Sequence, residues 1–245
     1  MNIEHMANYG NGLVDSLAGP EFQKIEKKMF CQILGVLRRE VGIRGIPKVL
    51  YRWRDEVKHM KQADWLALEK RGAPRAVIES TFDFIALMKV LDERFGMEKA
   101  RDLVTDIHER TEAALLKTGS AVNLFAVPVS DLKACDDSFR SFAEYTKAQV
   151  QAAVEEGLHH TEIIEDTKNA LSFHIHFCVI HEVAKAYGNP AWSFPWCRID
   201  NVVYPKMGDR LNFTFTRRGT LPTGSHTCDF RFERSNGYSC KGTEA

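Results

Sequence analysis

The sequence predicts an α+β protein: an N-terminal α-helical bundle followed by a smaller C-terminal α/β domain with a mixed or antiparallel sheet. Three observations carry this expectation. Apolar residues recur at helical spacing from Phe22 through the first half of the chain. From Ala170 the period switches to two, with Leu171, Phe173, Ile175 and Phe177 on one face. Further on, two short alternating segments flank the Gly-containing turn LPTGSH.

Taken in order, residues 1–18 read as a flexible lead-in. Pro20 suits a first helical position, and Phe22, Ile25, Met29, Ile33, Leu34 and Leu37 form a stripe. Gly42 and Gly45 end this helix and Pro47 opens the next. A short helix over 63–70 stops at Gly72 and Pro74. Two stronger helices, 75–95 and 98–117, are separated by Gly96 and closed by Gly119. Ser130 and Asp131 read as the cap of a long helix to about Glu156. After the strand at 170–178, residues 179–187 return to helical composition, ended by Gly188 and Pro190. A loop rich in aromatic residues, with Trp192, Pro195, Trp196, Cys197 and Asp200, comes next. Strands over 210–216 and 227–233 then form an antiparallel hairpin with one buried face. The expected divisions are a flexible N-terminus at 1–18, a helical domain at 19–157, an α/β catalytic domain at 158–234 and a disordered tail at 235–245.

Lys+Arg and Asp+Glu both total 33, so no basic excess is available to neutralise a phosphate backbone, which argues against a nucleic-acid partner. Apolar runs are far shorter than the roughly 18 residues a membrane span needs. The opening residues lack the basic-then-apolar pattern of a secretory signal. The cysteines at 31, 135, 178, 197, 228 and 240 contain no CxxC pair and are expected as free thiols in a cytoplasmic protein. Phosphate-binding loops, GxSxG elbows, HExxH and dinucleotide fingerprints are absent from the sequence.

Chemistry-bearing residues concentrate in the last hundred positions. His174, His176 and Cys178 share the polar face of a strand, about 6.5–7 Å between successive members. Such a face can bind a metal or pair a thiolate with a base. Cys197 and Asp200 lie in the aromatic segment beside Trp196, where exclusion of water strengthens electrostatics. Arg217 and Arg218 end a strand beside a turn and suit a carboxylate clamp. His226 lies in that turn. Cys228, with Phe230 and Phe232 on its face, reads as a small buried thiol, and Asp229 points the other way.

This C-terminal order resembles the L-2-amino-thiazoline-4-carboxylic acid hydrolase family. The pattern is a Cys leading into a Gly-terminated helix, a second Cys with Asp three residues on, an Arg near a TL pair, then GxxxCDFRF. Its positions here are Cys178, Gly188, Cys197, Asp200, Arg217, Thr220, Leu221, Gly224, Cys228, Asp229 and Phe230, within residues 169–233. The histidine face and the PTGSH turn depart from the family pattern. A fainter similarity is to vinyl-reductase-type ligand-binding domains.

The resemblance implies a hydrolase that opens a small cyclic amidine or thioimidate ring at a C–N or C–S bond and yields a carbamoyl product. On this reading Cys197 or Cys178 attacks, with His174 or His176 as base and Asp200 as a catalytic carboxylate. Arg217, Thr220, Asp229, His226 and Trp196 bind a substrate that bears a carboxylate. The alternatives left open are zinc held by Cys178, Cys197, Cys228 and His176, and a ligand-binding sensor without catalysis. The helical domain offers a surface for homo-oligomers. What joins these readings is convergence of the thiols, imidazoles and carboxylate on one cavity.

Overall fold

The computed structural model describes residues 20–117 and 127–235. The expected flexible segment 1–18, the helix stop at Gly119 and the tail beyond Ser235 lie outside these residues. Nine helices, α1–α9, and four strands, β1–β4, are described. Helix α1 (Pro20–Gln62) is broken at Gly42, whose φ of 67° and ψ of 170° suit glycine, so two helical segments meet there as the sequence predicts. Helices α2 (Leu66–Glu69), α3 (Arg75–Ser80), α4 (Phe82–Phe95) and α5 (Met97–Lys117) follow. The expected long helix from Ser130 is instead a short α6 (Val129–Lys133) and a separate α7 (Ser138–Glu155). Asp137 caps α7 by accepting a hydrogen bond from the Arg140 N–H at 3.0 Å.

The sheet comprises β1 (His159–Asp166), β2 (Ala170–Cys178), β3 (Phe213–Thr216) and β4 (Cys228–Arg234). It is antiparallel throughout, in the order β1-β2-β4-β3. Between β2 and β3 run α8 (Val179–Tyr187), a 3₁₀ turn (Pro190–Ser193) and α9 (Phe194–Leu211). Two expectations change here. The residues after Pro190, expected as a loop, form the 3₁₀ turn and α9, because Ile199, Val203, Met207 and Leu211 recur at intervals of four and are all buried. β3 begins at Phe213 and not at Arg210, because α9 runs to Leu211 and the chain turns at Asn212 in the left-handed region. Gly208 permits that turn: a Cβ there would lie 2.2 Å from the Phe213 carbonyl oxygen.

The core forms two clusters, and each draws on both halves of the chain. The first packs α1, α4 and α5 against α8, with Phe177 and Trp192. The second packs the inner face of the sheet against α9 and α7. Phe173 stacks on Phe230 across β2 and β4 at 4.9 Å, and Phe142 stacks on Phe213 at 4.3 Å. Cys178 touches both clusters, so the polar groups described next lie at their junction.

Candidate functional site

The i, i+3, i+7 spacing of Cys197, Asp200 and Tyr204 puts all three on one face of α9, turned toward the sheet. Tyr204 packs edge-on to Phe232 and within 4.9 Å of Phe215. From the sheet come Arg217, just past β3, and Cys228, the first residue of β4. Cys178, at the junction of β2 and α8, completes the group. These residues are far apart in sequence, and antiparallel pairing of β2 with β4 brings them together: Ile175 is the register partner of Cys228.

Arg217 is the best-connected side chain of the cluster. Its guanidinium is 5% exposed, donates to Asp200 Oδ2 through Nη1 and to the Cys197 carbonyl oxygen at 2.5 Å through Nη2. It also lies 5.2 Å from the centre of the Phe230 ring. Burial nevertheless outweighs the pull of Arg217 on Asp200 and lifts that carboxyl to about 6.

The three thiols differ in electrostatic setting. Burial pushes Cys178 up to about 12, and the backbone N–H groups of His181 and Ile180 offset this only in part. Cys197 is held well above the ordinary thiol range, first because its S–H is bonded to Cys228 and then by burial. Cys228 moves the other way. The Cys197 S–H lowers it most, burial opposes, and the Leu221 N–H, 3.2 Å from Sγ, and the charge of Arg217 assist. The arrangement therefore favours a thiolate at Cys228 and a neutral thiol donor at Cys197.

The loop between β3 and β4 is built to deliver that N–H. Thr220 is buried and caps the 3₁₀ turn Leu221–Thr223, with reciprocal side-chain bonds to Thr223. Asp229 accepts from the N–H of Gly219 at 2.7 Å and of Arg218 at 3.1 Å.

Several expected roles change. His174 and His176 do not join the thiols. They occupy the outward face of β2, 6.2 Å apart between ring centres, and His176 Nε2 lies 3.2 Å from a Glu162 carboxylate oxygen. Strand alternation dictates this, since Phe173, Ile175 and Phe177 fill the inner face. Cys178 escapes the alternation because it ends the strand and begins α8, which turns its thiol inward. Arg217 offers no open clamp, since Asp200 and the Cys197 carbonyl occupy its fork. Thr220 and Asp229 are engaged in shaping the loop. His226 is exposed, and Trp196, 39% exposed, packs edge-on to Phe84. The zinc alternative does not fit: His176 is on the far face from the thiols. Among the described residues, no group of three or more His, Cys, Asp or Glu side chains is placed to hold a metal ion.

One residue of the family pattern takes a setting that its sequence neighbours do not suggest. Cys228 reads as core from its aromatic neighbours, and it is indeed 5% exposed, yet it is the thiol with the lowered pKa.

Fold and site together define an α+β protein with a buried thiol centre at the junction of its two cores. The sequence profile of the L-2-amino-thiazoline-4-carboxylic acid hydrolase family matches residues 75–232, about two thirds of the chain, and includes every member of the site. The chain belongs to this family. Comparison with curated proteins gives no match. Among solved structures, the Fe(II) unliganded H-NOX protein from K. algicida is similar at 11% identity and a TM-score of 0.40, covering 86% of this chain and 97% of that one. A point mutant of that protein is similar at 12% identity and a TM-score of 0.39, with 85% and 96% covered. Likenesses this weak bear on neither fold nor function. Among the described residues no helix is long and apolar enough to cross a membrane.

Proposed function

We propose that the thiol centre hydrolyses a small cyclic thioimidate or amidine, of the 2-aminothiazoline-4-carboxylate kind, to an open carbamoyl product. The observation that carries this reading is Cys228, whose Sγ accepts the Leu221 N–H at 3.2 Å and whose thiol is lowered by its neighbours Cys197 and Arg217. A thiolate prepared in this way needs no histidine to deprotonate it.

In the reaction, Cys228 Sγ bonds to the electrophilic ring carbon while the C=N electron pair moves to the ring nitrogen. That nitrogen takes the proton of Cys197. Collapse of the adduct breaks the ring C–S bond, and the departing sulfur takes a proton from the resulting cation, leaving an isothiourea on Cys228. Water adds across the C=N bond of this intermediate. Its breakdown cleaves the Cys228–carbon bond, forms the carbonyl and returns the remaining water proton to Cys197. Overall one water is consumed and one new thiol appears.

The test is incubation of the full chain with 2-aminothiazoline-4-carboxylate, reading thiol release and carbamoyl product. Cys228→Ser is expected to reduce turnover on the order of 10³-fold or more. Full turnover by Cys228→Ser would exclude covalent thiol catalysis. Saturable binding by the wild type with no product would favour a ligand-binding domain.

A further inference from the structure

We propose that Arg217 is the positioning residue of the thiol pair, its planar fork fastening the first turn of α9, which carries Cys197, to the start of β4, which carries Cys228. The catalytic meaning of this role rests on the ring-opening reaction above; the positioning itself does not.

The two acceptors of the fork are a backbone carbonyl and a side-chain carboxylate three residues apart on α9, those of Cys197 and Asp200. Reaching both at once requires two parallel N–H donors held in one plane, which a guanidinium has and an ammonium lacks. The guanidinium also lies over the ring of Phe230, 5.2 Å from its centre and two residues beyond Cys228 on β4. A single side chain therefore ties the segment bearing the thiol donor to the strand bearing the thiolate. Nothing about stability demands an ion pair here, because apolar residues of similar volume serve a buried site as well or better. The charged and titratable groups facing Cys228 are Cys197 and Asp200 from α9, Cys178 from the end of β2 and Arg217 from the end of β3. Arg217 is the cation among them. Its charge also favours the thiolate it positions.

The role is tested by iodoacetamide labelling of Cys228 in the full chain across pH, mapped by peptide mass spectrometry. Wild type is compared with Arg217→Lys and with the double variant Arg217→Met/Asp200→Asn. The double variant leaves no unpaired buried charge, so it keeps a folded reference where a single neutral substitution would not. Folding is checked by thermal unfolding. The wild-type midpoint is expected below the ordinary thiol value of about 8.5 and higher in the double variant, where the charges lost at 217 and 200 oppose each other and the rise reads the lost alignment of Cys197 with Cys228. Arg217→Lys keeps the charge and loses the fork. It is expected to lower kcat roughly tenfold with KM changed much less, because it disturbs the alignment of the two thiols. Folded variants whose midpoints match wild type would overturn the positioning role. If the midpoint moves as stated while wild type opens no ring, the positioning stands and the hydrolytic reading falls.

Discussion

The β2–β4 pair presents the same kinds of reactive side chain on two faces, with opposite consequences. Its outward face carries His174, His176, Asp229 and Arg231, with Glu162 from β1 beside them. Charges there neighbour water, and the His176–Glu162 contact joins side chains 47% and 65% exposed. The inner end of the same strands meets α9 and holds Cys178, Cys228, Cys197, Asp200 and Arg217 at the junction of the two cores. Burial there drives one carboxyl up to about 6 and one thiol up to about 12, while donors aimed at a third group, the Cys228 thiol, bring it down against burial. Residue type alone does not make a reactive group; the low-dielectric setting and the donors aimed at it do.

The sharpest way to break this contrast is to strip each face in turn. Cys228→Ser is expected to abolish thiol release, as stated above, whereas the double variant His174→Ala/His176→Ala is expected to keep turnover within about twofold of wild type, since neither imidazole reaches the thiols. A large loss in the histidine variant would restore the imidazoles to the chemistry and undo the two-face distinction.

Stability should divide the faces next. Asp200→Asn leaves Arg217 charged and buried without its carboxylate, which costs about 3–5 kcal/mol by the usual penalty for breaking a buried pair. Glu162→Gln removes an exposed partner and should cost less than about 1 kcal/mol. Urea unfolding of the two variants measures both. Equal midpoints would mean that the Asp200–Arg217 pair is solvated after all.

How far this division was legible in the sequence follows from the same physics. Period-two alternation located β2 and its inner face directly, and the helical stripes and their glycine stops located most of the bundle. β1 is not legible in the sequence because, as an edge strand, it leaves Ile163 and Ile164 exposed, and its alternation lacks a buried set. α9 differs from the expected loop because Pro195 and two nearby tryptophans suggest irregular chain, whereas the spacing of Ile199, Val203, Met207 and Leu211 specifies a helix. Motif order sets Cys178, Cys197 and Asp200 side by side in the sequence pattern, and the fold brings them near one another. The histidines were misplaced because alternation says which residues share a face and not which face holds the chemistry. Cys178 broke even that rule, being where the strand ends.

A buried imidazole in the helical region extends the comparison. His108 is 2% exposed, its Nδ1 has no hydrogen-bond partner, and burial lowers it from 6.5 to about 4. Protonation is thus easier in the unfolded chain than in the folded one. The stability held by keeping His108 neutral is complete above about pH 6.5 and is lost as pH falls toward 4, by about 3 kcal/mol. His108→Phe should flatten that part of the curve of unfolding free energy against pH. An unaltered acid limb in the His108 variant would place the acid sensitivity in other groups.

The smallest expected effect tests whether the loop between β3 and β4 tunes the thiolate or merely closes the sheet. Thr220 and Thr223 bond each other's backbone around the turn that aims the Leu221 N–H at Cys228 Sγ. Thr220→Val keeps the shape and removes the hydroxyl, at a cost of about 1 kcal/mol for a lost cap. With the turn loosened, the Leu221 donor is less well held, so the labelling midpoint of Cys228 should rise by a few tenths of a pH unit, on the order of 0.5 kcal/mol of lost stabilisation. Asp229→Asn loosens the same loop from its other side, at the Arg218 and Gly219 N–H groups, and should move the midpoint in the same direction. If both substitutions lower stability while the Cys228 midpoint stays fixed, the N–H contributes nothing to the thiolate, and the Cys197 S–H and Arg217 alone set the difference between Cys228 and its two neighbouring thiols.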